Sequence, residues 1–122
     1  MKFRTARHTQ DIAAMLTFYR DLLGLEVLGS FQDHDEYDGV FLGFPSENWE
    51  IEFTVSREVP VHTADPDDLL VFYCKTQAEY EVLVQRILQA GITAVAPKNP
   101  YWEKNGTTFT DPDGFRVVIS VR

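Results

Sequence analysis

Apolar residues at Ile12, Met15, Leu16, Tyr19, Leu22 and Leu23 fall at three- and four-residue spacing, the period of a helix that buries one stripe. Thr9 stands where a hydroxyl can cap the free amides of a first turn. Gly24 stands where the chain would take a left-handed exit, so the pattern predicts an amphipathic helix between them. The same design returns from Thr76 to Gly91. Both segments open on Thr-Gln and close on glycine, and Tyr80, Leu83, Val84, Ile87 and Leu88 repeat the spacing. Thr76 and Glu79 add a capping-box pattern. An internal repeat of this kind makes the chain one small module used twice.

The remaining apolar segments are β-branched and aromatic. They predict strands over Lys2 to Arg7, Leu25 to Gln32, Gly39 to Gly43 and Glu50 to Val55, then Leu69 to Lys75, Ile92 to Ala96, Gly106 to Thr110 and Phe115 to Val121. Each half thus reads as strand, helix, three strands, an α+β fold of two tandem βαβββ modules forming a curved mixed-sheet trough. Module one spans about 1–56, a linker with Pro60 and Pro66 about 57–67, and module two about 68–122, all within a single domain. Asp111-Pro112-Asp113-Gly114 reads as a tight turn rather than a cation loop, since the following residues lack the further oxygen ligands of a calcium site.

A sheet with one helix has one covered face, and its other face must be buried elsewhere or form a site. Strand alternation assigns Phe3, Ile51, Phe53, Phe72, Val117 and Ile119 to the helix-covered faces. It assigns Arg4, Glu50, Glu52, Val71, Tyr73 and Val118 to the trough. By parity with Ile51 and Phe53, Trp49 belongs to the core, while Phe31, Phe41 and Tyr73 suit either the trough wall or simple apolar filling.

Composition narrows the partners. The chain has 122 residues and a formal charge of −8, from 19 acidic and 11 basic residues. That charge repels phosphate backbones and anionic membrane surfaces, so neither nucleic acid nor membrane is an expected partner. The longest apolar run, Leu69 to Cys74, is far short of the ~20 residues a membrane span needs, and the first ten residues lack a signal-peptide core. A cytoplasmic protein is the expectation. Cys74, the single cysteine, leaves no intrachain disulfide and reads as a small core residue. No Ser-His-Asp order, phosphate-cradling glycine loop or nucleotide fingerprint is present.

The duplicated strand-helix-three-strand order, the helix ending Phe18-Tyr19-Arg20-Asp21-Leu22-Leu23-Gly24-Leu25, and Asp111-Pro112-Asp113-Gly114 before the last strand together resemble the vicinal oxygen chelate superfamily. That superfamily includes glyoxalase I, extradiol dioxygenases, fosfomycin-modifying enzymes and bleomycin-resistance proteins. The resemblance covers the whole chain. It implies metal ligands on trough-facing strand positions, usually two His or Gln and two Glu. Matched place by place, the first position falls on Arg4, the second on Glu52, the third within Leu69 to Val71 and the fourth on Val118. One carboxylate cannot hold a divalent ion tightly, because affinity comes from several converging lone pairs. No metal and no cofactor is therefore expected. An ion pair between Arg4 and Glu52 is predicted instead, with the guanidinium supplying the ion's positive charge.

His8, His34 and His62 read as exposed loop residues, and a His8, His62 and Glu52 cluster is the alternative that would restore metal binding. Tyr101 and Trp102 lie where members of the fold line the trough mouth. They could stack on a flat or cationic ligand, or simply plug the loop or a subunit contact. The favoured function is a metal-independent small-molecule binding protein for an aromatic or cationic ligand, with Arg4, Glu52, Tyr73, Tyr101 and Trp102 as ligand-binding residues. The alternatives are a metal-dependent lyase, isomerase or dioxygenase, or a metal-free enzyme using Glu52 as proton acceptor. The resemblance also implies a homodimer.

Overall fold

The computed structural model describes residues 1–122, which form two compact units, Met1–His62 and Thr63–Arg122. The first contains β1 (Phe3–His8), α1 (Ile12–Leu16), β2 (Glu26–His34), β3 (Tyr37–Gly43) and β4 (Trp49–Val55). Its sheet runs β1-β4-β3-β2, with β1 parallel to β4 and the other pairs antiparallel. The second contains β5 (Leu69–Cys74), α2 (Gln77–Gln89), α3 (Tyr101–Asn105), β6 (Thr107–Thr110) and β7 (Arg116–Val121). Its sheet runs β5-β7-β6, again with the first pair parallel. The α+β class predicted from the sequence is the one observed.

Helix α1 departs from its pattern in two ways. Its N-cap is Asp11, whose Oδ1 accepts from Ala14 N at 3.0 Å, and not Thr9. Thr9 is instead buried, its amide donating to Thr54 O at 2.8 Å and its hydroxyl accepting from Asp11 N at 3.3 Å. Joining the sheet consumes the residue that looked like a cap. Beyond Leu16 the helix widens into a π-helical segment, Thr17–Leu22, with Leu23 N bonded to Phe18 O. A wider turn advances less per residue, which suits a segment whose consecutive Phe18 and Tyr19 are both buried. Gly24 and Gly91 both take the left-handed exit, at φ 89°.

The core of the first unit joins Met15, Phe18 and Tyr19 to Val40, Leu42, Ile51 and Phe53. Phe3 shares the parity of Ile51 and Phe53 yet is 65% exposed. It stands at the start of an edge strand, so parity alone misplaces it. Trp49 is half-buried, edge-on to Phe44 at 6.0 Å.

In the second unit Val84 and Ile87 of α2 are buried with Phe109, Val117 and Ile119. Thr76 caps α2 as expected, accepting from Glu79 N at 3.1 Å, while Glu79 reaches back to Lys75 N at 3.1 Å. The strand predicted over Ile92 to Ala96 does not form. Only an isolated bridge joins Val95 to Thr108. The carbonyl of Ala96 is taken by Arg116 Nη1 at 2.9 Å, and Pro97, which has no N–H, follows at once. The turn at Asp111 is as predicted, with its Oδ1 accepting from Asp113 N at 2.9 Å and Phe115 N at 3.0 Å. No helix is long and apolar enough to cross a membrane.

Candidate functional site

The open face of the first sheet is set by register. Arg4 on β1 lies opposite Glu50 on β4, Ala6 lies opposite Glu52, and Glu52 lies opposite Phe41 on β3. Directly paired residues project to the same side, so one face carries Arg4, Glu50, Glu52 and Phe41. On β2 and β3, Gly29 pairs with Phe41 and Phe31 with Gly39. Each ring lies over its glycine partner. A Cβ at Gly39 would fall 2.3 Å from Phe31 Cζ, and one at Gly29 would fall 3.2 Å from Phe41 Cδ2. The glycines let the two rings lie down on the sheet, with centroids 5.8 Å apart.

The predicted ion pair between Arg4 and Glu52 is present, but Glu50 holds Arg4 more closely. Its Nε and Nη2 lie 2.7 and 2.6 Å from Glu50 Oε1, and its Nη1 lies 3.7 Å from Glu52 Oε1. The reason is the parallel register, which puts Glu50 straight across from Arg4 and Glu52 one step along. Lys2 Nζ reaches the other Glu50 oxygen at 3.1 Å. Glu50 is buried at 4% exposure, while Lys2 and Arg4 remain largely exposed. The guanidinium also sits over the Phe41 ring, 4.3 Å from its centroid.

Hydrogen bonds from Arg4, and then from Lys2, hold the Glu50 carboxyl below its ordinary value of 4.5, outweighing the opposing effect of burial. A carboxyl depressed by folding contributes stability that is complete above the ordinary value and is lost as pH falls through the depressed one. Urea midpoints are therefore expected to fall as pH drops below about 4.5. Glu50→Gln should flatten that part of the profile. An unchanged slope would remove Glu50 from the balance.

The other predicted residues lie in the second unit. Tyr73 on β5 is 46% exposed, with Arg122 4.7 Å over its ring. Tyr101 and Trp102 open α3 with their rings edge to face at 4.8 Å. Tyr101 is 59% exposed and Trp102 half-buried. Ser120 Oγ donates to the Asn105 carbonyl and ties α3 to β7.

The histidines are not all exposed loop residues. His8 belongs to β1 and its Nε2 lies 2.9 Å from Ser56 Oγ, while His62 Nε2 lies 2.6 Å from the His8 carbonyl oxygen. His34 is exposed. Cys74 is half-buried rather than in the core, and burial, and then the Glu79 charge, raises its thiol above the ordinary range. An open concavity of about 430 Å³ runs along α2 between Glu81, Val82, Gln85, Arg86 and Gln89. These residues are all exposed and none belongs to the charged cluster.

Tested as a metal site, the donor set does not fit. Of the two implied positions in the first unit, one is held by the Arg4 guanidinium, which has no lone pair to give, and the other by Glu52 alone. Sequence reasoning placed Glu50 on the correct face but missed its role and that of Lys2. Their signal was the spacing of Lys2, Arg4, Glu50 and Glu52, readable only once the strand register is known.

The repeated parallel-first sheets define the class: this is a vicinal oxygen chelate fold of the glyoxalase and fosfomycin-resistance kind. Glyoxalase I of Leishmania major shares it with a TM-score of 0.75 at 20% identity, over 97% of this chain and 84% of that one. FosX, the fosfomycin resistance protein of Mesorhizobium loti, shares it with a TM-score of 0.71 at 10% identity, over 98% and 89%. The chain belongs to the YycE-like family. It matches the YycE-like N-terminal domain over residues 3–54 and the YycE-like C-terminal domain over residues 67–120. The uncharacterized protein YycE of Bacillus subtilis (strain 168) is 37% identical over 121 residues, which cover 97% of this chain and 86% of that protein. A crystal structure of YycE from Bacillus subtilis, a protein of unknown function described as a candidate glyoxalase/fosfomycin resistance protein, has a TM-score of 0.88 at 35% identity, over 99% and 89%.

Proposed function

We propose that this chain binds a small organic molecule on the charged and aromatic face of its first sheet, and does so without a divalent ion. The observation that carries the reading is Arg4, a fixed positive charge at a position where the superfamily places a metal donor, hydrogen-bonded to Glu50 and 3.7 Å from Glu52. A guanidinium there both removes a donor and repels a second cation. The glyoxalase and fosfomycin-resistance names of the structural neighbours fit a small molecule as ligand. Tyr73, Tyr101 and Trp102 are secondary candidates for ligand contact.

The test is metal analysis and thermal shift on untagged protein, before and after chelation. We expect no stoichiometric zinc, nickel, manganese or iron and an unchanged unfolding temperature. A bound ion at a hundred times its dissociation constant would add ~2.7 kcal/mol of stability, easily seen in a chain of this size. Stoichiometric metal, or stabilisation by divalent ions alone, would overturn the metal-free reading and leave the metal-dependent lyase, isomerase or dioxygenase as the alternative.

A further inference from the structure

Glu52 is the least satisfied charged group on the open face. Its side chain is only 13% exposed, and it is ion-paired with Arg4 Nη1 at 3.7 Å, beyond hydrogen-bonding reach. Glu50 contrasts with it, held by Arg4 and Lys2 together. A carboxylate so far withdrawn from water gains from each donor it can accept. Arg4 spends Nε and Nη2 on Glu50, and its Nη1 is the guanidinium nitrogen nearest Glu52. A single atom at ~2.8 Å from both groups can sit astride a gap of this width, accepting from the guanidinium and donating to the carboxylate.

The charges say which atom. Lys2 and Arg4 already balance Glu50 and Glu52, so the cluster calls for no further charge, and an ammonium placed at Glu52 would also meet Arg4. A hydroxyl both accepts and donates while remaining neutral. The surroundings say what carries it. Phe41, the register partner of Glu52, has Gly29 beneath its ring and the Arg4 guanidinium over it, and Phe31, flattened over Gly39 with its centroid 5.8 Å from that of Phe41, extends the apolar surface beside the gap.

We propose that this face selects an uncharged, hydroxyl-bearing ring compound of phenol type, its oxygen clamped between Arg4 and Glu52 and its ring set against Phe31. This rests on the metal-free binding reading above and narrows it. Of the aromatic and cationic ligands expected from the sequence, the Arg4 guanidinium favours the neutral aromatic one.

The test titrates chelator-treated protein with para-cresol, para-methylanisole, para-methylbenzylamine and para-toluate, following backbone amide shifts by NMR. Para-cresol is expected to move the amides around Glu52 and Phe41 at millimolar concentration. It should bind about tenfold tighter than the anisole, which keeps the ring and the oxygen but loses the donor. Glu52→Gln should cost about tenfold in para-cresol affinity, the loss of one charge-assisted bond, and should leave the anisole unaffected. Tighter binding of the amine, equal binding of the anisole, an unaffected Glu52→Gln protein, or no shift with any probe would each overturn the clamp, leaving metal-free binding intact. Binding of the probes only after zinc is added would instead sink the reading on which the clamp rests, and the clamp with it.

Discussion

Replacing Phe53 with alanine is expected to destabilise the first unit by about 3–5 kcal/mol, the range for emptying a fully buried aromatic site. Phe53 has no exposed surface, its ring is 5.0 Å from that of Tyr19, and the Arg7 guanidinium lies 5.4 Å over it. It also stands between Glu52 and Thr54 on β4 and points to the opposite side, so its seat in the core holds Glu52 in place on the open face. Urea denaturation measures the loss. Amide shifts in β4 report whether the Arg4, Glu50 and Glu52 cluster loosens with it. Phe53→Leu, which keeps most of the volume, should cost far less. A loss below about 1 kcal/mol for the alanine protein would show that the core does not fix this strand.

The second large effect is expected at Gly106, the joint between α3 and β6. Its φ of 175° is ordinary extended backbone, so the constraint is purely steric. A Cβ there would lie 2.7 Å from the Ile119 carbonyl oxygen and 2.8 Å from Val118 Cγ1, with Trp102 Cε3 at 3.5 Å. A backbone carbonyl cannot swing aside as a side-chain tip can. Gly106→Ala should therefore cost about 1–3 kcal/mol, as overpacking does, and should shift α3. In a Trp49→Phe background Trp102 is the sole indole, so its emission reports the movement. Unchanged stability and emission would mean that β6 and β7 separate freely at this point.

The repeat was legible because apolar spacing at three and four residues has few readings other than a buried helix stripe. Both glycine exits and the Thr76 cap followed from local backbone chemistry alone. The missing strand at Ile92 to Ala96 was not legible, because its alternation is the same whether or not a neighbour supplies a ladder. Arg116 taking the Ala96 carbonyl is a long-range event. The cap of α1 was misplaced for a similar reason: Thr9 and Asp11 both suit the position, and Thr9 is withdrawn from it by the Thr54 carbonyl on another strand.

By itself, the sequence determined the module, its duplication and its membership of a fold superfamily, and it put an arginine on the opening strand. All of these depend on residue identity and on contacts within a few positions. Tertiary structure decided which carboxylate the cation holds, because Glu50 and Glu52 share a face, and only the parallel register of β1 on β4 sets one of them directly opposite Arg4. That same register leaves Glu52 withdrawn from water and beyond hydrogen-bonding distance of Arg4.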